Sequence, residues 1–173
     1  MAQDGPKMAQ GGPKMAQDGP RWPQVGTKMA NWVIAGTEHY SKRIEREMNF
    51  SIVEIPLAKR VKNQSPTVGK AREAAVFLAQ IKPDDYVVAL DVKGSLLSTA
   101  QLADKLRDFR MSGKNLALLI GGPDGLDGDC LGRADECWSL SRLTLPHPLV
   151  RVLVTEQLYR AISMIHGHPY HRE

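Results

Sequence analysis

The stretch NLALLI (Asn115–Ile120) is followed directly by GGPDG (Gly121–Gly125), and this junction predicts the class of fold. The uninterrupted apolar run within it, LALLI (Leu116–Ile120), is typical of a parallel strand that is buried on both faces. Glycines at the carboxyl end of such a strand let backbone N–H groups approach a ligand, and ligands of open α/β sheets bind at that edge. The same five residues also fit a tight turn without a ligand, and they match neither GxGxxG nor the P-loop.

Strands and helices alternate along the rest of the chain, which predicts an α/β fold with a mostly parallel sheet and helices on both faces. Ser98 and Gln101 form a capping box ahead of an apolar stripe at Leu102, Leu106 and Phe109, so a helix is expected there. The other expected elements are a helix from Asn31 to about Glu47, a strand at Phe50–Ile55, a helix from about Thr67 to Ala79, a strand at Tyr86–Leu90, a strand and loop at Cys137–Leu145, and a helix from Pro148 to about His166.

Side-chain patterns add detail to two of these helices. In the first helix, Asn31 is the expected N-cap, and Trp32, Ala35 and Tyr40 are expected to face the core. In the helix that follows Ser98, Gly113 suits the C-terminal turn because glycine readily adopts the left-handed conformation.

The first 21 residues read MAQDGPK, MAQGGPK and MAQDGPR, three near-identical heptapeptides. Gly-Pro in every copy disfavours both helix and strand, so we expect a disordered tail over residues 1–21. The repeat fits a functional tail and equally a tag-like extension. Residues 22–173 are expected to form a single domain.

The composition is that of one ordinary globular domain, with 42% hydrophobic and 24% charged residues in 173. A formal net charge of +4 favours a polyanionic partner such as nucleic acid. Cys130 and Cys137 fit neither a metal knuckle nor a disulfide framework, so a reduced, cytoplasmic location is expected. The chain has no apolar run of about 18 residues, so no membrane span is expected.

Two further segments could carry chemistry. The loop SLSRLTLPHP (Ser139–Pro148) has backbone between apolar side chains and could hold a flat adenine and a thioether, although it also reads as a plain connection into the last helix. The C-terminal tail contains His166, His168 and His171. No carboxylate or cysteine pattern accompanies these histidines, so a polar tail that contacts RNA is favoured over a metal site.

Taken together, these segments resemble one family. The strings IGGPDGL (Ile120–Leu126), CWSLSRLTLPHPLVRVLVTEQLYRA (Cys137–Ala161) and HPYHRE (His168–Glu173) resemble ribosomal large subunit methyltransferase H of the SPOUT superfamily. VGTKMANWV (Val25–Val33), EIPLAKRVKN (Glu54–Asn63) and ALD (Ala89–Asp91) are similar to it too. The resemblance is collinear over about residues 25–173.

This resemblance implies a SPOUT fold with a deep trefoil knot in the C-terminal part, and a tight homodimer. It implies S-adenosyl-L-methionine as methyl donor, and N3 of a pseudouridine in helix 69 of 23S rRNA, on the assembled ribosome, as acceptor. Carried over by position, the cofactor-binding residues are Leu90, Gly122, Ser141, Arg142, Leu143, Thr144, Leu145 and Pro146. No metal is implied.

The tail residues Tyr170, His171 and Arg172 resemble the family's active-site tail, and we expect them to be catalytic. A histidine suits the removal of the N3 proton near neutral pH, so His171 is the expected general base. Tyr170 would orient the base, and Arg172 would hold a phosphate or polarise a carbonyl.

The chain departs from the family at its first strand. Family members have an apolar strand before VGTK, whereas this chain has QDGPRWPQ (Gln17–Gln24) with two prolines. Because proline cannot donate to a sheet ladder, we expect this strand to be shortened or lost, with a frayed sheet edge.

Three other functions stay open at this point. The first is a protein that binds S-adenosylmethionine and RNA without turnover, the second a SPOUT methyltransferase with a different RNA target, and the third a hydrolase or metal protein that uses the tail histidines. The basic residues expected to contact rRNA phosphates are Lys59, Arg60, Lys62, Arg151 and Arg160.

Overall fold

The computed structural model describes residues 21–25, 28–48, 51–55, 57–59 and 61–172. Within these ranges, the strands are β1 (Arg21–Val25), β2 (Ser51–Ile55), β3 (Tyr86–Leu96), β4 (Leu116–Ile120) and β5 (Glu136–Ser139). The helices are α1 (Asn31–Glu47), α2 (Pro66–Gln80), α3 (Thr99–Ser112), α4 (Gly128–Arg133), α5 (His147–Ile165) and a 3-10 helix at Pro169–Arg172. The five strands form one sheet in the order β2-β1-β4-β3-β5, and every strand pair is parallel.

Each face of the sheet has its own hydrophobic core, because alternate residues of a strand point to opposite sides. On one face, Leu116 and Leu118 of β4 belong to a cluster that includes Leu158 of α5 and residues of α1 and α3. On the other face, Leu119 belongs to a cluster that includes Phe77 of α2 and residues of α4. The predicted α/β class with helices on both faces is therefore confirmed.

The first strand differs from the prediction. β1 is a five-residue strand in the interior of the sheet, paired with β2 along its whole length and with β4 at Arg21 and Gln24. A proline removes a single N–H donor, so Pro23 leaves the other backbone groups of the strand available to both neighbours. The strand is neither lost nor at an edge. Arg21 belongs to it, and the rest of the predicted tail lies outside the described residues.

The predicted core face of α1 is wrong for Trp32 and Ala35, whereas Tyr40 is half-buried, with its ring centroid 6.4 Å from that of Tyr159. Trp32 is 57% exposed and Ala35 is exposed, whereas Val33, Ser41 and Ile44 are the buried residues of the helix. The buried stripe includes small and polar side chains because α1 packs closely against α5: a β-carbon on Gly36 would lie 3.2 Å from Val152. Asn31 is the first residue of the helix and does not cap it, since Ala30 occupies the N-cap.

The caps predicted for α3 are present, whereas β3 is longer than predicted and α4 was not predicted. The capping box of Ser98 and Gln101 is present, and Gly113 ends the helix with φ of 66°. β3 continues to Leu96, six residues beyond its predicted end. The short helix α4 was not predicted; Asp127 caps it by accepting the backbone N–H of Asp129.

Candidate cofactor-binding site

The glycine turn after β4 forms the first wall of a cavity at the carboxyl edge of the sheet. The backbone N–H of Gly125 donates to the carbonyl oxygen of Gly122 at 3.0 Å, and Gly125 has φ of 77°. A β-carbon on Gly121 would lie 2.6 Å from the carbonyl carbon of Gly125, closer than two carbon atoms can pack. Glycine is therefore required at these two positions for the turn to close.

A bend in β3 forms the second wall. Leu90 and Ser95 both pair with Trp138 of β5, so the residues between them leave the ladder. The carboxylate of Asp91 accepts the backbone N–H of Lys93 at 2.8 Å, which stabilises this bend as an Asx-type turn. Asp91 and Val92 consequently lie at the mouth of the cavity and line it.

The third wall is the loop between β5 and α5, and two serines shape it. The Oγ of Ser139 donates to the carbonyl oxygen of Ser141 at 2.9 Å. The Oγ of Ser141 accepts the backbone N–H of Leu143, also at 2.9 Å. These bonds satisfy backbone groups inside the loop and hold it over the sheet edge.

The three walls enclose a cavity of about 710 Å³, within the range of small-molecule sites. Arg142 is exposed and does not line it. The other cofactor residues expected from the sequence all line the cavity: Leu90, Gly122, Ser141, Leu143, Thr144, Leu145 and Pro146.

Further lining residues include Asp91, Asp124, Trp138 and His147, which lie in segments singled out from the sequence but were not named there as cofactor residues. His147 is the first residue of α5, and its burial together with the nearby Arg151 guanidinium lowers the pKa of its imidazole. The neutral ring is therefore favoured in the cavity. The sequence places this histidine in the loop proposed to hold the cofactor, but its burial and its closeness to Arg151 depend on where α5 begins relative to the sheet.

A polar cluster lies beneath the cavity and supports Trp138. The Glu136 carboxylate accepts hydrogen bonds from Trp138 Nε1 at 2.6 Å, from Lys105 Nζ at 2.8 Å and from the Tyr86 hydroxyl at 2.8 Å. Burial acts to raise the pKa of Glu136, but these hydrogen bonds, that of Lys105 first, outweigh it and lower the pKa. Burial and the bond to Glu136 raise the pKa of Tyr86 to about 12.

The C-terminal tail packs against α5. The Tyr170 hydroxyl donates to Oε1 of Glu156 at 3.2 Å, its ring centroid is 4.7 Å from that of Tyr159, and the Arg160 guanidinium lies 5.1 Å from the ring centroid. Burial and a hydrogen bond with Tyr40 raise the pKa of Tyr170.

The expected catalytic residues Tyr170, His171 and Arg172 do not line the cavity of the same chain. Tyr170 contacts α5 at Glu156, nine residues beyond His147 at the cavity. Nine helical residues correspond to about 13 Å along the axis. One copy of the chain therefore holds the cofactor residues and the tail residues apart.

The expected phosphate contacts fall into different environments. Arg151 is only 4% exposed, so its proposed contact with a phosphate is wrong: α5 turns this side chain toward the core. Arg160 forms an ion pair with Glu156 at 2.7 Å. Lys59 and Lys62 are exposed, and Arg60 lies outside the described residues.

Within the described ranges, no group of three or more His, Cys, Asp or Glu side chains could hold a metal ion. None of the helices described is long and apolar enough to cross a membrane. Cys130 and Cys137 are both free thiols.

Comparison with known proteins identifies the family. Residues 22–171 match the family described as "Predicted SPOUT methyltransferase". The protein named "Ribosomal RNA large subunit methyltransferase H" is 52% identical in Hahella chejuensis, over 86% of this chain and 96% of that protein. Its counterpart in Saccharophagus degradans is 51% identical with the same coverage of both chains.

A solved structure supports the fold at low sequence identity. A probable methylase family protein from Haemophilus influenzae superposes with a TM-score of 0.53 and 14% identity, over 88% of this chain and 70% of that one. The cavity of this chain lies at the carboxyl edge of such a fold, and its three walls fall within the matched residues. The chain therefore belongs to the SPOUT methyltransferases and, within them, to the ribosomal RNA large subunit methyltransferase H family.

Proposed function

We propose that this protein transfers a methyl group from S-adenosyl-L-methionine to N3 of a pseudouridine in helix 69 of 23S rRNA, on the assembled ribosome. The observation that carries the proposal is the cavity at the carboxyl edge of the sheet, lined by loops after β3, β4 and β5. The relatives named for a large-subunit rRNA methyltransferase match this chain over nearly their whole length, which supports the same reaction class here.

The cavity fits the methyl donor in size and in chemistry. Its volume of about 710 Å³ suits a nucleoside with an amino-acid arm, and Leu90, Leu145 and Val150 supply apolar walls. S-adenosylmethionine would supply a methyl group carried on a positively charged sulfonium. The carboxylates of Asp91 and Asp124 line the cavity and suit a cationic ligand, and the lowered pKa of His147 keeps another positive charge away.

A homodimer accounts for the separation between the cavity and the tail. A second copy whose tail reached the cavity would bring Tyr170, His171 and Arg172 to the reacting atoms. In the described part of the chain, Nδ1 of His171 is buried without a hydrogen-bond partner. Such a group costs about 1–3 kcal/mol, and a rearrangement of the tail on dimerisation would allow it to find a partner.

The chemistry assigned to the tail is proton removal and orientation. His171 accepts the proton from N3, Tyr170 holds the imidazole in place, and Arg172 binds a phosphate or polarises a carbonyl of the base. Orientation of donor and acceptor in line can contribute about 7–11 kcal/mol to the rate. The cavity walls that orient the methyl donor therefore contribute to the rate as well as the base.

The test is transfer of labelled methyl to ribosomes that lack the helix 69 methylation, with the modified nucleotide mapped, and fully modified ribosomes as the matched control. Label at N3 of the pseudouridine in the first sample alone is the expected result. Label at another nucleotide would mean a different RNA target. Saturable S-adenosylmethionine binding with no label on any RNA would mean a binding protein without turnover.

Two properties follow from the family assignment. We place the protein in the cytoplasm, because its proposed substrate is the assembled ribosome. A deep trefoil knot in the C-terminal part also stays a prediction. Refolding that slows markedly relative to an unknotted domain of similar length would support the knot.

A further inference from the structure

A second cavity, of about 550 Å³, lies where α1 and α5 end. We call it the basic notch. Its charged and aromatic lining residues are Arg43, Arg46 and Glu47 of α1, Tyr159 of α5, and His166 and His168 at the end of α5. The notch is separate from the cofactor cavity and shares no lining residue with it.

The two histidines of the notch present defined proton positions. His168 Nδ1 accepts the backbone N–H of Tyr170 at 3.2 Å, so the neutral ring carries its proton on Nε2 and can donate it. Nε2 of His166 lies 2.9 Å from Arg110 Nη1, which can only donate, and its Nδ1 lies 2.8 Å from the Glu47 carboxylate. His166 therefore bridges α1 and α3, and it engages the Glu47 carboxylate of the notch.

The partial negative charges at the carboxyl ends of α1 and α5 do not by themselves account for the arginines that line the notch. The carboxyl ends of α1 and α5 each carry about −0.5 elementary charge, and Glu47 adds one negative charge. Against this total of about −2 stand the guanidinium groups of Arg43 and Arg46, which line the notch, whereas Arg110 lies outside its lining and contacts His166. The two lining arginines therefore balance the negative charge of the notch, and among the described residues no ion pair engages the exposed Arg46.

The notch is directly connected to the tail. The Arg43 guanidinium lies 5.5 Å from the centroid of the Tyr159 ring, and the centroid of the Tyr170 ring lies 4.7 Å from the same ring. An anion in the notch would thus lie one aromatic ring away from the residues assigned to proton removal. A backbone phosphate of the RNA that carries the target base would fit this position.

We propose that the basic notch binds a phosphate group of the RNA substrate's backbone and so helps to position the target nucleotide against the tail. The proposal rests on the proposed function for the identity of the substrate. Arg46 is the main contact, Arg43 is held in place by Tyr159, and the Nε2–H of His168 adds a neutral donor. Arginine and a neutral N–H donor are the groups that bind phosphate oxygens in protein–RNA complexes.

The experiment compares Arg46→Gln and Arg46→Glu with Lys42→Gln and Lys42→Glu. Lys42 lies on the same helix, is exposed and pairs with Glu38, outside the notch. Binding of each variant to ribosomes is measured over a range of salt concentrations, together with S-adenosylmethionine affinity and the thermal unfolding midpoint. Arg46→Gln should weaken ribosome binding about tenfold at low salt and reduce the salt slope by about one.

In transfer assays, Arg46→Gln should raise KM for ribosomes and leave cofactor affinity unchanged, and the Lys42 variants should change KM by less than about twofold. A wild-type salt slope in both Arg46 variants would overturn the proposal, as would equal losses in the Lys42 variants. If the wild-type protein methylates no RNA, the proposed reaction fails, yet the binding series still decides whether Arg46 contacts a phosphate.

Discussion

Gly121 and Gly125 approach each other so closely that a β-carbon on Gly121 would lie 2.6 Å from the carbonyl carbon of Gly125. Backbone atoms would have to move to admit it, so Gly121→Ala should destabilise the turn by about 1–3 kcal/mol. We expect S-adenosylmethionine affinity to fall at least about tenfold, as measured by calorimetry. Gly128→Ala is the control, because its β-carbon meets open space; wild-type affinity in Gly121→Ala would contradict the role of the turn.

The carboxylate of Glu136 should stabilise the floor of the cofactor cavity. Glu136→Gln weakens the hydrogen bonds from Trp138, Lys105 and Tyr86, and should lower the free energy of unfolding at pH 7 by about 1–2 kcal/mol. Chemical denaturation measures this change. Asp104→Asn, which breaks only an exposed ion pair with Arg107, should change it by less than about 0.5 kcal/mol.

The pH dependence of the same variant follows from the sign of the shift. The folded pKa of Glu136 is lowered, so its stabilisation is present above the unfolded pKa of about 4.3 and is lost as the pH falls through the folded value. Glu136→Gln should therefore lose less stability than the wild-type protein between neutral and acidic pH. Parallel stability curves for the two proteins would show that the hydrogen bonds to this carboxylate contribute little.

His147 should make the protein sensitive to mild acid. Its pKa is lowered in the folded state by burial and by Arg151, so below about pH 6.5 the unfolded chain binds more protons and stability falls with pH. His147→Gln should reduce this loss between pH 7 and pH 5 in thermal unfolding. His39→Gln, at an exposed position on α1, should leave the wild-type curve unchanged.

Protonation of His147 should also weaken cofactor binding, because it adds a positive charge to a cavity proposed to hold a sulfonium. Three other charged groups bear on the charge of the cavity. Arg151 lowers the pKa of His147, and Asp91 and Asp124 line the cavity. S-adenosylmethionine affinity should fall from pH 7 to pH 5 in the wild-type protein and less so in His147→Gln. An identical fall in both would assign the effect to the carboxylates.

His171→Ala should lower turnover about 10²- to 10⁴-fold if its imidazole removes the N3 proton. Cofactor affinity should stay within about twofold, since His171 does not line the cavity. Single-turnover methyl transfer measures the first quantity and calorimetry the second. Tyr170→Phe, which retains the ring contact with Tyr159 and loses the bond to Glu156, should have the smaller effect; wild-type turnover in His171→Ala would remove it from the role of base.

Some parts of the fold were predictable because neighbouring residues along the chain determine them. The capping box of Ser98 and Gln101 and the left-handed Gly113 satisfy the ends of α3 locally. The apolar run of β4 is buried on both faces wherever the sheet places it. The glycines after β4 similarly predict a tight turn, and the resemblance to a family assigned a function to that turn.

Other features depend on contacts between residues distant in sequence. β1 tolerates Pro23 because β2 and β4 pair with it on both sides. The buried face of α1 is set by its packing on α5 at Gly36, not by the apolar Trp32. Periodicity weighs only the apolar character of each side chain, so it cannot detect a face that is buried because its residues are small.

The sequence by itself determined the α/β class, strand β4 with its glycine turn, helix α3 and the family, since these depend on short stretches of residues. Only the tertiary structure placed His147 in the cofactor cavity, buried Arg151, and positioned Arg46 beside the tail. It also separated Tyr170 from the cavity of its own chain. The physical reason is that burial, charge balance and distance between sites arise from packing of whole helices on the sheet, which no local pattern encodes.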